Sequence, residues 1–301
     1  MKHILITGGS GLVGSALTSF LTQKGYTVSH LGRRENLNGP VKTYRWDYKT
    51  DEIDVRAFDG VDVVINLAGA SVAGGRWTSA YKKEIYDSRV LSTRLLYETI
   101  KNNKLAVKKV ISASATGYYG DSLSLVDEST PPSKDFLSQV CADWENEAQK
   151  IESLGTSLTI LRIGIVLSPN GGFVPEMAKP IKMGFGTVLG NGKQQISWIH
   201  IDDLCGIVLK AITEEGFTGP YNCVTPNPTT NAQATKLFAK LLGKPLWLPN
   251  APAFALKIIL GGMSYELLVN HNVSAKKVAD AGYKFIYTDF ETALKAALTN
   301  S

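Results

Sequence analysis

Apolar positions along this chain fall into two periods. His3-Ile4-Leu5-Ile6-Thr7, Thr27-Val28-Ser29-His30-Leu31, Val61 to Leu67, Lys109 to Ser112 and Leu158 to Arg162 are short, largely aliphatic runs of strand length. Between them the apolar residues recur at helical spacing, first at Leu12, Ala16, Leu17, Phe20 and Leu21, then over Ser79 to Asn102 and Phe136 to Ser153. Strands alternating with helices imply a parallel sheet, because joining parallel neighbours takes a crossover long enough to hold a helix. Such crossovers are right-handed, so helices cover both faces and the ligand crevice lies beyond the carboxyl ends of the strands. The predicted fold class is therefore α/β, a doubly wound parallel sheet.

After Leu167 the texture changes. Ser168-Pro169-Asn170-Gly171-Gly172 reads as a loop, Gly184 to Gly192 is rich in glycine, and a short strand over Ile196 to Ile201 precedes a helix starting near Asp202. Prolines at 226, 228, 245, 249 and 252 punctuate the last quarter, around a helix near Asn231 to Leu242 and one or two more after Pro252. We accordingly place the sheet domain at 1–167, with returning segments from about 196–225, and a smaller lobe at 168–301 that includes a C-terminal unit at about 250–298. Leu256 to Leu260 is apolar but far shorter than the ~20 residues that span a bilayer, so it is predicted as a buried helix. If exposed, it would instead suit a contact between two copies of the chain.

Composition sharpens this picture by exclusion. With 44% hydrophobic and 20% charged residues over 301 positions, the chain can bury a core, which rules out disorder. The net charge of +5 is mild and no run of Lys and Arg forms a nucleic-acid track, so the expected partner is a small molecule, with phosphate accommodated. Cys141, Cys205 and Cys223 lie far apart without zinc-type spacing, and His3, His30 and His271 add none; no metal is expected. No secretory leader and no membrane-spanning stretch is seen, and the expected location is a reducing cytoplasm.

The strongest chemical signal is the turn Gly8-Gly9-Ser10-Gly11-Leu12-Val13-Gly14 between the first strand and the first helix. Glycine is needed at Gly8, Gly11 and Gly14 so that the chain turns tightly, a pyrophosphate approaches without a Cβ in its way, and the helix packs closely on the strand. Unpaired amides at the helix start, Leu12 and Val13 included, would then hold the phosphates. About 20 residues further on, where an acid would accept a ribose 2'-hydroxyl, stand Arg33 and Arg34. Two guanidiniums suit a 2'-phosphate, so the expected cofactor is NADP(H).

Further along come Asp62-Val63-Val64-Ile65-Asn66-Leu67-Ala68-Gly69, Ser112-Ala113-Ser114-Ala115-Thr116-Gly117-Tyr118-Tyr119-Gly120, Leu161-Arg162 and Trp198-Ile199-His200-Ile201-Asp202-Asp203-Leu204, in this order. Together they resemble an extended short-chain dehydrogenase/reductase. More narrowly, Pro252-Ala253-Phe254-Ala255-Leu256-Lys257, Gly261-Gly262-Met263 and Ala281-Gly282-Tyr283-Lys284-Phe285 resemble the atypical NAD-dependent epimerase/dehydratase family whose members carry a C-terminal domain of unknown function. The resemblance implies that Asp47 borders the adenine, that Leu67, Ala68 and Gly69 line the middle of the cofactor, and that Glu84 and Arg89 reach it. It also implies a serine at Ser114.

The family's usual engine is that serine plus Tyr-x-x-x-Lys, in which Lys lowers the tyrosine's pKa for proton transfer. Matching Glu145 to the later glutamate of that helix puts Leu137 at the tyrosine and Cys141 at the lysine, and neither does that work. Ser114 and Tyr118 are the remaining catalytic candidates, with the cation that Tyr118 would need left open among Arg162, Lys134 and His200. His200-Ile201-Asp202-Asp203 is read as a strand end with Asp202 or Asp203 capping the next helix. Two functions follow as alternatives. One is an oxidoreductase or epimerase-type enzyme acting on a small carbonyl, hydroxy or sugar-linked compound; the other is a non-catalytic NADP(H)-binding regulator of the cell-division inhibitor-like kind that the resemblance also brings.

Overall fold

The computed structural model describes residues 2–299; residues 1, 300 and 301 and the side chain of Leu260 lie outside the described part. Strands β1 (His3–Thr7), β2 (Thr27–Gly32), β3 (Thr43–Asp47), β4 (Glu52–Ile53), β5 (Val61–Asn66) and β6 (Lys109–Ala115) follow the aliphatic runs. Later come β7 (Ser122–Val126), β8 (Ser157–Ile163), β9 (Ile165–Leu167), β10 (Gln195–Ile196), β11 (Trp198–His200), β12 (Gly219–Cys223), β13 (Thr229–Thr230) and β14 (His271–Val273). The main sheet has the order β12-β8-β6-β5-β1-β2-β3-β4. Every neighbouring pair is parallel except β3 and β4.

Chain order reverses between β1 and β5: the chain runs outward through β2 and β3 on one side, then through β6 and β8 on the other. A crevice opens beyond the carboxyl ends of strands at such a reversal. Helices α1 (Leu12–Gln23), α2 (Ser79–Asn102) and α3 (Phe136–Gln149) make the crossovers expected from the sequence, with the end of the third stretch tightening into a 3₁₀ turn at Lys150–Leu154. One face of the sheet packs Ile4, Ile6, Ile65 and Ile111 against Leu17, Leu204 and Val208, the latter two from α5 (Ile201–Thr213); the other packs Leu5, Val64 and Val110 against Leu96 and Ile151. These strands are buried on both sides, which is why their sequences read as continuous apolar runs.

The rest of the chain builds its own smaller core. Val174 and Ile181 on α4 (Phe173–Lys182), Phe238 on α6 (Asn231–Leu241) and Phe290 and Leu294 on α9 (Phe290–Thr299) close around Trp198. Helix α4 carries Pro180 in its last turn and lies where the sequence suggested no helix. Among the described residues, the segment after Pro252 holds three helices, α7 (Ala253–Leu260), α8 (Lys276–Asp280) and α9, where one or two were expected. The expectation that α7 is buried is overturned: Leu256 turns inward, but Phe254 and Ile258 are 69% and 70% exposed and Ile259 lies open beside them. Its apolar side chains exceed what one neighbouring surface can cover, a point that hydropathy alone does not register.

Candidate functional site

The glycine turn stands at the strand reversal. Thr7, the last residue of β1, donates its hydroxyl to Asn66 Oδ1 at 2.8 Å and accepts the Leu67 and Ala68 amides at 3.0 and 3.1 Å, closing the bottom of the crevice. Gly8 has φ +69°, and a Cβ there would come within 2.9 Å of the Leu67 carbonyl oxygen. A Cβ on Gly14 would meet the Gly8 carbonyl oxygen at 2.3 Å, whereas one on Gly11 meets only that oxygen, at 3.2 Å. Gly14 therefore sets how closely α1 packs, and Gly11 keeps clear the space above the turn. Helix α1 has no side-chain cap and no acid in its first turn, so its leading amides, with Leu12 and Val13, are left for an external anion. Over them Leu12 meets Gly171 and Gly172, the loop that opens the smaller lobe.

The structure gathers Arg33, Asp47, Glu84 and Arg89 around the same end of the sheet. Arg33 and Arg34 follow β2 directly and are exposed; Glu35, next in the chain, is occupied by Arg56 at 3.3 Å. Asp47 ends β3 and accepts the Lys49 amide at 2.9 Å. Glu84 is taken on both oxygens, by Tyr48 Oη at 2.7 Å and Lys49 Nζ at 2.8 Å, bonds that hold its carboxyl below the usual range. Glu84 thus clamps α2 to the loop after β3. Arg89 donates to the Ile85 and Ala70 carbonyls, each at 3.0 Å, and burial lowers its pKa. Gly69 makes room for it, since a Cβ there would lie 3.0 Å from Arg89 Cζ.

On the other side of the reversal the polar groups satisfy one another. Ser114 and Arg162 are register partners on β6 and β8, and both turn toward Glu145 of α3. Ser114 donates to Glu145 Oε1 at 2.6 Å, and Arg162 grips the same carboxylate through Nε and Nη2 at 2.9 and 2.8 Å. All three side chains are buried. Arg162 also donates to Tyr119 Oη at 2.8 Å and lies 3.6 Å from the centre of the Tyr118 ring. Burial pulls the Arg162 pKa down, but Glu145 and Tyr119 more than offset this, so the guanidinium is held firmly charged. Burial raises the Tyr118 pKa despite the opposing pull of Arg162, so its phenol keeps its proton at neutral pH. Of the three cations left open by the sequence, Arg162 is the one that meets Tyr118.

Residues 4–223 match the description "NAD dependent epimerase/dehydratase family", and residues 251–297 match "Domain of unknown function (DUF1731)". The chain belongs to the NAD dependent epimerase/dehydratase family. It is 37% identical over 302 aligned positions to an epimerase family protein of Staphylococcus aureus, covering 98% of both chains. Its structure is similar to that of the human epimerase family protein SDR39U1 solved with NADPH, with a TM-score of 0.87, 29% identity, and coverage of 99% of this chain and 100% of that one. A nucleoside-diphosphate sugar epimerase of Corynebacterium glutamicum gives a TM-score of 0.81 at 31% identity, covering all of this chain and 59% of that one.

Within this epimerase-family fold, Leu137 and Cys141 lie on the side of α3 that faces the serine strand. Leu137 approaches Gly117, and Cys141 is buried beside Ala115 and Ser114, where burial pushes its thiol up to about 12. Such a thiol holds no charge at neutral pH. The expected cap on α5 is corrected. His200 itself caps the helix, its Nδ1 accepting the Asp202 amide at 3.2 Å, while buried Asp203 accepts Tyr283 Oη and the Ile286 and Tyr287 amides at 3.0, 2.7 and 3.0 Å. Asp203 is committed to tying down the C-terminal unit. No group of three or more His, Cys, Asp or Glu suited to a metal occurs among the described residues, and no described helix is long and apolar enough to cross a membrane.

Sequence reasoning missed Glu145 as a site residue. The available signal was an acid inside the apolar stripe Leu137, Val140, Cys141, Trp144, Ala148, together with an arginine inside the buried run Leu158 to Arg162. Two such misfits in one core imply that they pair.

Proposed function

We propose that this chain binds NADP(H) and uses it on a small carbonyl or hydroxy compound, in the cytoplasm, as an oxidoreductase or epimerase-type enzyme. The observation that carries this reading is the pairing of an uncapped, glycine-lined α1 start with Arg33 and Arg34 at the end of β2, where the next carboxylate in the chain, Glu35, pairs with Arg56 at 3.3 Å. The NADPH in the human relative supports the same choice. Gly8, Gly11, Leu12, Val13 and Gly14 would hold the pyrophosphate, Arg33 and Arg34 the 2'-phosphate, Asp47 the adenosine side, and Leu67, Ala68, Gly69 and Arg89 the span between. When bound, the nicotinamide supplies or accepts a hydride.

The residues beyond the β6 end of the sheet favour the reducing direction. Tyr118 holds its proton at neutral pH and can pass it to an oxygen that is gaining negative charge, and Arg162 against its ring face steadies the phenolate left behind. Ser114 has its only proton on Glu145, so it accepts rather than donates toward a ligand. That same bond favours the second reading, a regulator that binds NADP(H) without turnover. The two are separated by following NADPH oxidation with a panel of carbonyl compounds. Consumption that falls at least about tenfold on Tyr118→Phe supports the enzyme; tight binding with no consumption on any compound supports the regulator. Calorimetry that registers no heat with NADPH or NADH would sink both.

A further inference from the structure

One cation of the crevice has no anion of its own. Arg89 on α2 spends two N–H groups on the Ile85 and Ala70 carbonyls, each at 3.0 Å, and its remaining N–H groups have no partner among the described residues. The acids of the two helices around it are taken by others: Glu84 by Lys49, Asp87 by Lys83, Glu145 by Arg162 and Glu147 by Arg94. The guanidinium instead lies with its Cζ 5.4 Å from the centre of the Trp144 ring, which eases its charge without neutralising it. Arg89 is half-buried, so its unspent donors are not sealed into the core. A cation held in this way has donors ready for an acceptor that the chain does not supply.

The place of Arg89 in the crevice says which acceptor. A pyrophosphate belongs over the α1 amides beyond β1, while Ser114 and Tyr118 stand at and just past the end of β6. In the sheet, β5 lies between those two strands. Arg89 reaches the loop that leaves β5, where a Cβ on Gly69 would lie 3.0 Å from its Cζ. Its other neighbour, Trp144, follows Cys141 by one turn of α3, and Cys141 is the position at which the family's lysine is missing. Cys141 in turn adjoins Ser114 and Ala115. Between the pyrophosphate of a dinucleotide and its nicotinamide lies one ribose. We propose that Arg89 holds the hydroxyls of that ribose, bringing from α2 a cation to the place where α3 lacks one. The proposal deepens the NADP(H) reading and rests on it. Arginine suits the task because its planar fork presents donors side by side to two adjacent oxygens.

The test uses the full chain and Arg89→Met, which keeps an apolar stem and removes the fork. Affinities for NADPH, 2'-phospho-ADP-ribose and 2'-phospho-ADP are measured by calorimetry; of the three, only the last lacks the second ribose. The variant is expected to lose about tenfold to a hundredfold in affinity for the first two and less than about twofold for the third. Because the three ligands are compared within one protein, a general loosening of the fold weakens them all alike. Equal losses for all three therefore assign Arg89 to the phosphates or to packing and overturn the proposal. A loss confined to NADPH, which would mean a contact with the nicotinamide ring, overturns it too, as does no loss at all. Wild-type protein that binds none of the three overturns the NADP(H) reading itself. Should the methionine variant fail to fold, Arg89→Lys, which keeps a cation without the fork, carries the same comparison: a loss confined to the two ligands with the second ribose supports the proposal, and any other pattern overturns it.

Discussion

The two sides of the strand reversal handle their polar groups in opposite ways. On the β1–β2 side the amides of α1 carry no cap, Arg33 and Arg34 stand exposed, and glycines keep the approach clear. On the β6–β8 side Ser114, Glu145, Arg162 and Tyr119 close on one another within 2.6 to 2.9 Å. An anion that reaches the first region finds donors without displacing anything; a ligand that reaches the second meets hydrogen bonds already made, with Tyr118 at their edge. Burying an unpaired charge is costly, so the second region must be self-sufficient before it can be anything else. The first stays solvated and is free to wait for a ligand.

The largest expected effect tests whether the closed region is structural. Glu145→Ala leaves Arg162 buried without its carboxylate and should destabilise the fold by about 3–5 kcal/mol in urea unfolding; a loss under about 1 kcal/mol would mean that the pair is solvated and the contrast mistaken. Next, Gly11→Val places branches above the turn, where the structure shows little in their way. It should weaken NADPH and NADH alike by about a hundredfold while the melting temperature shifts only slightly. By contrast, Gly14→Val strikes the turn's own backbone and should lower the melting temperature together with the affinity. Replacing Arg33 and Arg34 together with Ala should cost about tenfold to a hundredfold in NADPH affinity and little in NADH affinity; equal losses remove the 2'-phosphate assignment. The smallest effect belongs to Ser114→Ala, about 1.5 kcal/mol of stability from one hydrogen bond to a charged acceptor. Turnover that collapses while stability holds would show that Ser114 touches the substrate and that the closed region is an active one.

How much could be read beforehand differs between the regions for the same reason that their chemistry differs. The glycine turn is a matter of seven consecutive residues, and its requirement for close approach follows from backbone sterics. That Arg33 and Arg34 stand at the end of β2 was legible because that strand end lies at a set distance from the turn. Glu84 was readable only as an acid on a helix face; its clamp onto Tyr48 and Lys49 brings together residues 36 and 35 positions apart. The exposure of Phe254, Ile258 and Ile259 escaped notice because periodicity records which positions are apolar and not what covers them. The helix cap went to His200 rather than to either aspartate because the strand ends one residue earlier than the pattern suggests.

What the sequence by itself determined is local: the strand, the glycine turn, the helix that follows, and the cationic end of β2, all set by backbone conformation and short-range spacing. Only the tertiary structure decided that Ser114, Glu145 and Arg162 would meet. Ser114 and Glu145 are 31 residues apart and Glu145 and Arg162 are 17, and the contact exists because parallel pairing sets Ser114 beside Arg162 while α3 packs across them. That register is chosen by the burial of whole strands rather than by any of the three residues.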